Sequence, residues 1–373
     1  MKVAFCTLGC KVNQYESQSM EQALIKRGFE CVGASEEADV YIVNSCTVTA
    51  ESDRKTRQNV RHLRKLHPDA VIVLTGCMPQ AFPEDARLLT QADIVTGNRS
   101  NKQIPDMIDE FFRTRERIVR IAQHENGEKF SGELINDFRE RTRATVKIED
   151  GCNRFCSYCV IPYARGRVRS KPLEDIREEI SSLEKKGFSE IVLVGINLSA
   201  YGTDCGASIC DAVELAASFE GIKRVRLGSL EPDHMTPEVT KRLAGCKKLC
   251  PQFHISLQSG CDKTLKRMNR HYTAAEYEEL CTRLRSEFED TTLTTDVMVG
   301  FSGETKEDFE ISRDFVKKIG FEKVHVFPYS RRAGTRAAEF PDVVENAEKE
   351  RRSREMIAAA GEVRHEFLER QIG

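Results

Sequence analysis

Residues 151–159 read Gly-Cys-Asn-Arg-Phe-Cys-Ser-Tyr-Cys, which places cysteines at positions 152, 156 and 159. The loop follows a strand-like run at residues 144–148 and opens with Asp150 and Gly151. Three thiolates within eight residues can hold one face of a 4Fe–4S cluster and leave its fourth iron open, whereas electron-transfer ferredoxins normally supply four thiolates. A zinc knuckle would need a fourth ligand nearby, and this loop has none. The spacing therefore predicts a cluster held by Cys152, Cys156 and Cys159.

Strand-like and helical stretches alternate on both sides of this loop. Counted from the strand that precedes the loop, six β/α units follow one another, which is typical of an open, partial β/α barrel. The first 115 residues alternate in the same way, which is the pattern of a parallel sheet covered by helices. The predicted fold class is therefore α/β, with an N-terminal doubly wound parallel-sheet domain followed by a partial (β/α)6 barrel.

The same alternation gives the predicted elements and domains. Strands are predicted at residues 2–6, 39–44, 70–75, 92–96, 144–148, 190–194, 224–227, 253–257, 292–299 and 323–327. Helices are predicted at residues 14–27, 50–66, 101–112, 172–186, 211–219, 236–243, 274–287, 306–319 and 344–369. The predicted domains are 1–115, a polar linker at 116–140, a core at 141–340 and a closing helix at 341–373.

Cysteine is the unusual feature of the composition, because the chain of 373 residues has 14 cysteines and a net charge of −2. No apolar run reaches the ~18–20 residues that span a bilayer, and the N-terminus shows no signal peptide. We therefore expect a cytoplasmic protein, where thiols are more often ligands, nucleophiles or buried hydrophobes than disulfides. The near-neutral charge argues against a wholly basic nucleic-acid binder, so RNA contacts would come from local patches.

A second set of cysteines is dispersed along the N-terminal domain. Cys10, Cys46 and Cys77 each lie just beyond the carboxyl end of one of the first three predicted strands. Ligands bind at that edge of an open parallel sheet, so the positions predict a second three-cysteine site. The alternative is that each cysteine is a small turn residue. The other eight cysteines are predicted to be packing residues.

The loop and its continuation resemble a known family. Residues 161–170 read IPYARGRVRS, and together with residues 151–159 they resemble the radical S-adenosylmethionine (SAM) methylthiotransferases. Cys10, Cys46 and Cys77 match the ligands of that family's N-terminal cluster. Residues 9–17, GCKVNQYES, are most similar to the branch that acts on threonylcarbamoylated adenosine in tRNA.

The resemblance implies two 4Fe–4S clusters with open irons, one in a radical SAM core and an auxiliary one in an N-terminal methylthiotransferase domain. An electron from a donor such as flavodoxin or ferredoxin would cleave SAM, and the 5′-deoxyadenosyl radical would remove hydrogen from carbon 2 of the adenine. The auxiliary cluster would hold the sulfur, whose source the sequence does not identify, for methylation by a second SAM. No acid–base side chain is required. Family members continue into a small β-barrel, the TRAM domain, which is expected to be missing because the sequence ends at Gly373.

The resemblance also implies SAM contacts at the strand ends around the loop. Asn197 occupies the place of the glutamate in the superfamily's Gly-Gly-Glu motif. The candidate SAM-contacting residues are Gly195, Asn197, Glu231, Ser256, Gln258, Asp296 and Gly300. Each of them could instead be a residue that closes a strand.

Contacts with a tRNA anticodon stem-loop need positive charge. Residues 139–171 contain nine basic and three acidic residues, and further arginines follow the sixth barrel strand. The candidate RNA-binding residues are Arg165, Arg167, Arg169, Arg331 and Arg332.

The resemblance therefore implies a transferase that inserts a methylthio group at carbon 2 of N6-threonylcarbamoyladenosine at tRNA position 37. One alternative is a different methylthiolation substrate, either isopentenyladenosine in tRNA or a ribosomal-protein aspartate. The other is an iron–sulfur redox protein without catalysis, which the two three-cysteine sets disfavour because carriers saturate their clusters with thiolate.

Overall fold

The structure is a computed structural model that describes residues 1–132, 134–135 and 142–372. Within residues 1–120, parallel strands form one sheet in the order β2-β1-β3-β4-β5-β6. Its strands are β1 (Lys2–Thr7), β2 (Glu30–Val32), β3 (Val40–Ser45), β4 (Val71–Gly76), β5 (Ile94–Thr96) and β6 (Ile118–Arg120). Its helices are α1 (Lys11–Lys26), α2 (Ala50–Leu66), α3 (Cys77–Ala81), α4 (Pro83–Arg87) and α5 (Ile104–Thr114), with a 3-10 segment at Asn98–Gln103.

Two strands of this sheet differ from the sequence prediction. β2 was not predicted, and β6 lies inside the stretch assigned to the linker, where it pairs with β5. Each has three residues, which is too short for an alternating pattern to show. Residues 133 and 136–141, which include part of the predicted linker and the first residue of the predicted core, lie outside the described residues.

The barrel begins after the linker and is built from parallel strands in two hydrogen-bonded groups, β11-β10-β7 and β12-β13-β14-β15. Gly228 separates β11 from β12, so the two groups follow one another as an open barrel. The strands are β7 (Ala144–Lys147), β8 (Glu149–Asp150), β9 (Arg169–Ser170), β10 (Glu190–Val194), β11 (Arg224–Leu227), β12 (Ser229–Leu230), β13 (Gln252–Ile255), β14 (Thr292–Val299) and β15 (Lys323–Pro328). β8 and β9 form a separate antiparallel pair beside the barrel.

Helices cover the outside of the barrel and bury one continuous apolar core against it. They are α6 (Ile161–Arg165), α7 (Leu173–Lys185), α8 (Ile209–Ala217), α9 (Pro237–Ala244), α10 (Asp262–Arg267), α11 (Ala274–Glu287), α12 (Lys306–Ile319) and α13 (Asn346–Glu369). Short 3-10 segments lie at Leu198–Ala200, Pro232–His234 and Arg336–Glu339. The α/β prediction is confirmed in both parts of the chain.

The first helix joins the two parts of the molecule. Val12, in the first turn of α1, packs against Val192 and Val194 on the inner face of β10. Tyr15, one turn later, donates a hydrogen bond of 3.0 Å to Glu179 of α7. The N-terminal domain therefore inserts the start of α1 into the open side of the barrel.

Candidate functional site

Cys10, Cys46 and Cys77, here called the dispersed triplet, lie at the carboxyl edge of the N-terminal sheet. Thr7 of β1 pairs with Asn44 of β3, which in turn pairs with Thr75 of β4, so the three strands end level with one another. The sheet order reverses between β1 and β3, and a ligand crevice is expected at such a point. The loops that leave these strands carry the three cysteines.

Two glycines let these loops approach one another closely. Gly9 has a φ of +108°, and a Cβ atom there would lie 2.8 Å from the Cβ atom of Cys46. Gly76 has a φ of +98°, and a Cβ atom there would lie 2.5 Å from the backbone nitrogen and oxygen of Ser45. Any larger residue would therefore clash and strain the backbone beside Cys10 or Cys77.

Asn13 and Arg165 link two of the dispersed thiols. The Sγ atom of Cys10 and the Nη2 atom of Arg165 each donate to Oδ1 of Asn13 at 3.3 Å. The Nε atom of Arg165 donates to Sγ of Cys77 at 3.3 Å. Arg165 belongs to the barrel, so the second domain places a cation directly against a cysteine of the first.

Arg165 is held in place by buried carboxylates. Its guanidinium pairs with Glu16 and lies 3.4 Å from Asp150, while Lys147 donates to Glu16 at 2.8 Å and to Asp150 at 2.6 Å. The Arg165 side chain is 1 % exposed. Burial alone would raise the pKa of Glu16, but the nearby Arg165 and Lys147 lower it overall. These four charges form a polar core at the domain interface, here called the interface network.

Cys152, Cys156 and Cys159, here called the loop triplet, lie beyond the carboxyl end of β7. The backbone N–H of Cys152 donates to Gly166 O at 3.0 Å, and that of Cys159 donates to Cys156 O at 2.9 Å. Gly151 has a φ of +86°, and a Cβ atom there would lie 2.0 Å from the carbonyl oxygen of Arg167. The local sequence therefore folds the loop tightly onto the segment that follows it.

A second segment clamps the loop from the other side of the barrel. The N–H of Ser157 donates to Met268 O at 2.9 Å, and its hydroxyl donates to Arg267 O at 2.8 Å. The Asn269 amide donates to Phe155 O at 3.1 Å. These bonds fix the loop backbone between two parts of the barrel.

Arg270, which sequence reasoning did not single out, stands beside the loop triplet. Its Nη1 atom lies 3.3 Å from Sγ of Cys156, and its Nη2 atom pairs with the carboxylate of Glu231 and lies 3.3 Å from Ser256 O. Its guanidinium also stacks 4.9 Å from the centre of the Tyr272 ring. Arg270 thus contacts Cys156 and also Glu231 and Ser256, which are two of the candidate SAM residues.

Both triplets fit iron as a ligand set. Each offers three thiols, and burial raises the pKa of Cys77 and of Cys152 to about 12. A thiolate at these positions is therefore unfavourable without a cation, whereas a metal deprotonates its thiol ligands outright. Buried thiols next to Arg165 and Arg270 are suited to ligating a metal and poorly suited to acting as free nucleophiles.

The strand end after β10 fits the amino group of SAM. Asn197 is buried, and neither its Oδ1 atom nor the Oε1 atom of Glu149 has a hydrogen-bond partner. The backbone N–H of Asn197 donates to the other oxygen of Glu149 at 2.7 Å, so the Glu149 carboxylate lies against the backbone of Asn197. Gly195 leaves room here, because a Cβ atom on it would lie 2.5 Å from Glu149 Oε2. An amino group would supply the missing donors; Glu149 was not predicted from the sequence.

The remaining candidate SAM residues lie in different surroundings. Asp296 faces a cavity that Gly195 and Cys10 also line. Gln258 has a φ of +65°. Its backbone N–H donates to Asp296 O of β14, and its carbonyl oxygen accepts from the N–H of Met298 in the same strand. Gly300 has a φ of +68°, and a Cβ atom there would lie 2.4 Å from Lys349 Cγ. Backbone geometry and packing against α13 account for Gly300 without a ligand.

The predicted RNA-binding arginines divide into buried and exposed groups. Arg165, Arg169 and Arg332 are buried, which corrects their assignment as surface contacts. Arg169 lies 3.5 Å from Asp150, and Arg332 donates to Thr47 at 2.8 Å and to Asp53 at 2.6 Å. Arg167 and Arg331 are exposed, and they remain predicted RNA contacts.

All fourteen cysteines lie within the described residues and have free thiols. Outside the two triplets, Cys210, Cys261 and Cys281 are buried, and Cys205 is exposed. Cys6, Cys31, Cys246 and Cys250 are half-buried.

Comparisons with known proteins agree with this two-domain arrangement. Residues 2–97 match the family described as uncharacterized protein family UPF0004, and residues 146–316 match the radical SAM superfamily. Threonylcarbamoyladenosine tRNA methylthiotransferase MtaB of Aquifex aeolicus is 37 % identical over 378 residues, which cover 100 % of this chain and 91 % of that protein. The tRNA-2-methylthio-N(6)-dimethylallyladenosine synthase of Pelotomaculum thermopropionicum is 35 % identical over 384 residues, which cover 100 % and 85 %.

Among solved structures, the radical SAM methyltransferase TsrM of Kitasatospora setae, with cobalamin and a [4Fe-4S] cluster bound, has a TM-score of 0.63 at 15 % identity. The match covers 88 % of this chain and 74 % of that one, and it supports the fold alone. In the part of the chain that the structure describes, no helix is long and apolar enough to cross a membrane.

Proposed function

Since the chain belongs to the radical SAM methylthiotransferase family, we propose that it inserts a methylthio group at carbon 2 of N6-threonylcarbamoyladenosine in tRNA. The observation that carries this substrate is the 37 % identity to MtaB of Aquifex aeolicus across the whole chain. The proposed site of modification is position 37, in the anticodon stem-loop.

Membership of the radical SAM superfamily implies one 4Fe–4S cluster and SAM, which supply radical cleavage and methyl transfer when bound. We place this cluster on the loop triplet, and a second cluster on the dispersed triplet. The residues of the chain would hold and orient these groups. Asn197 and Glu149 offer two buried acceptors to an amino group, and Arg270 and Arg165 each place a positive charge against one triplet.

The position of α1 supports the assignment of one cluster to each triplet. Its first turn carries Cys10 into the open side of the barrel, where Val12 seals against Val192 and Val194. Cys10 of the dispersed triplet thereby lines the cavity that Gly195 also lines. Reductant delivery by flavodoxin or ferredoxin, and a cytoplasmic location, belong to the same proposal.

The experiment is mass spectrometry of tRNA nucleosides from the source organism with and without the gene. We expect 2-methylthio-N6-threonylcarbamoyladenosine to disappear in the deletion strain and its unthiolated precursor to accumulate. A wild-type copy should restore the product, and a Cys77→Ala copy should not. Loss of the 2-methylthio derivative of dimethylallyladenosine instead would favour the function named for the Pelotomaculum relative.

A further inference from the structure

The barrel interior has an unusual polar wall on three neighbouring strands. On β13, β14 and β15, the residues that face outward, such as Phe253, Val297 and Val326, pack with the helices in the main apolar core. The alternating residues face inward because side chains on a strand alternate between its faces. The inward set is Gln252, His254, Thr294, Asp296, Lys323 and His325. Parallel barrels usually fill this space with branched apolar side chains, so a polar wall needs another explanation.

These residues line a cavity of about 750 Å³, which is within the ~300–1,000 Å³ of ordinary ligand sites. The opposite wall is the segment from Gly9 to Val12, which carries Cys10, and Gly195 lies on a third side. The cavity therefore reaches Cys10 of the dispersed triplet and Gly195 at the strand end after β10. A substrate whose reacting carbon lies between them would extend a substituent against the polar wall.

The charges around the cavity favour an anionic group. Lys11 and Lys323 line it, and within the described residues neither forms an ion pair. The acidic groups are already engaged, because Asp296 lies 3.3 Å from His254 and Glu322 lies 3.6 Å from Arg364.

The imidazoles and Asp296 form a compact hydrogen-bonding cluster. His325 pairs directly with Asp296 across β14 and β15, and the Nδ1 atom of His254 lies 3.0 Å from the Thr294 hydroxyl. Suitable donor and acceptor atoms of His254, Asp296 and His325 lie within 4.8 Å of one another. Such a group can bind a hydroxyl or a urea-like N–H, neither of which a dimethylallyl group carries.

We propose that this wall is the subsite for the amino-acid substituent of the modified adenosine, with Lys11 and Lys323 binding its carboxylate and the His254–Asp296–His325 cluster binding its polar stem. The inference rests on the proposed function and deepens it, since it assigns the residues that distinguish threonylcarbamoyl from dimethylallyl. The competing occupant is a divalent metal ion, because two histidines and one carboxylate are a known metal-binding set.

The test measures binding of anticodon stem-loop RNAs to the anaerobically reconstituted holoenzyme. The RNAs carry N6-threonylcarbamoyladenosine, its methyl ester, N6-dimethylallyladenosine or unmodified adenosine at position 37, and thiolation of each RNA by wild type is also measured. The variants are Lys323→Met and His325→Phe, and the control is Lys306→Met, which removes an exposed lysine of α12 on the outside of the barrel. Wild type and the control should bind the free acid about 10-fold or more tighter than the ester, since charge-assisted hydrogen bonds contribute ~1.5–3 kcal/mol. Lys323→Met should lower that ratio to about 2-fold or less, whereas His325→Phe should weaken binding of the acid and of the ester alike, relative to unmodified adenosine.

The outcomes separate this proposal from the proposed function. If Lys323→Met keeps the wild-type preference for the free acid, or if His325→Phe binds both modified RNAs as tightly as wild type does, the subsite is wrong, even though wild type still thiolates the free-acid RNA. If wild type thiolates only RNA with dimethylallyladenosine, the proposed function and the subsite both fail. Metal content, measured together with thermal unfolding, supplies a second readout that separates loss of a metal site from loss of folding. Loss of one metal equivalent in His325→Phe, with normal thermal unfolding, would show a metal site and overturn the carboxylate subsite.

Discussion

Each of the two cysteine triplets presents three thiols, but the two triplets are assembled in different ways. The loop triplet lies within eight residues and is shaped by local backbone bonds, such as that from the N–H of Cys159 to Cys156 O. The dispersed triplet spans residues 10–77 and is assembled only when β1, β3 and β4 pair in register. The first depends on chain geometry over a few residues, and the second depends on the fold of a whole domain.

The cations beside the triplets show the same difference. Arg270 reaches Cys156 from within the barrel, whereas Arg165 reaches Cys77 across the domain interface. The dispersed triplet should therefore be more sensitive to changes at the interface, and the loop triplet should form wherever the barrel folds. Three predictions test this difference, from the largest expected effect to the smallest.

The largest effect is expected from removing one cysteine of each triplet. Cys156→Ala should abolish reductive SAM cleavage, whereas Cys77→Ala should retain it and lose only the methylthio product. Each variant should lose about half of the iron, since each triplet would hold one cluster of four irons. Iron counting and chromatography of 5′-deoxyadenosine after anaerobic reconstitution measure both effects.

Cys205→Ala is the matched control for these cysteine variants, because Cys205 is exposed and lies outside both triplets. It should keep wild-type iron content and SAM cleavage. Loss of SAM cleavage in Cys77→Ala with its loop-triplet iron intact would contradict the separation of roles.

A smaller effect is expected from Arg165→Met, which leaves the interface network short of one cation. Breaking a buried ion pair from one side costs about 3–5 kcal/mol of unfolding free energy. The pKa values of Glu16 and Asp150 are held low overall against the opposing effect of burial, so these carboxylates stabilise the fold above their ordinary pKa. That contribution is lost as the pH falls, so the difference between wild type and variant should shrink in acid. Denaturant unfolding at neutral and acid pH measures it.

The control for Arg165→Met is Arg167→Met, two residues away. Arg167 is exposed and stacks 4.5 Å from the centre of the Phe155 ring, so its loss should cost less than about 1 kcal/mol. Equal destabilisation by the two substitutions would show that the interface network does not hold the domains together.

The smallest effect is expected from the exposed arginines Arg167 and Arg331. Arg167→Ala and Arg331→Ala should each weaken tRNA binding several-fold and lower the slope of log affinity against log salt by about 0.7–0.9, as loss of one phosphate contact does. Filter binding across a salt series measures the slope. Arg354→Ala, on the exposed surface of α13, should leave it unchanged. An unchanged slope in both test variants would remove these residues from the RNA interface.

Features that are set by interactions between residues near in sequence were predicted correctly, and features that depend on distant residues were not. The helices at residues 50–66, 274–287 and 306–319 have the predicted bounds because local caps set them, as when Thr273 and Glu276 form a capping box. The burial of Arg165, a candidate RNA-binding residue, was not predicted because its carboxylate partner, Glu16, lies 149 residues away in the sequence. A basic run in the sequence carries no information about such a partner. The polar alternation in β13–β15 is present in the sequence, but only the structure shows that these residues line one cavity.

The insertion of α1 into the barrel also covers part of the barrel's open edge. Among the described residues, the two strand groups of the open barrel end at β7 and β15, each of which pairs with barrel strands along one edge only. Such edges recruit other strands and promote aggregation unless something covers them. The start of α1 lies in that opening next to β7 and β10, and Arg332, just after β15, is bound to Asp53 of α2. The N-terminal domain, which carries the dispersed triplet, therefore also covers part of the edge strands of the barrel.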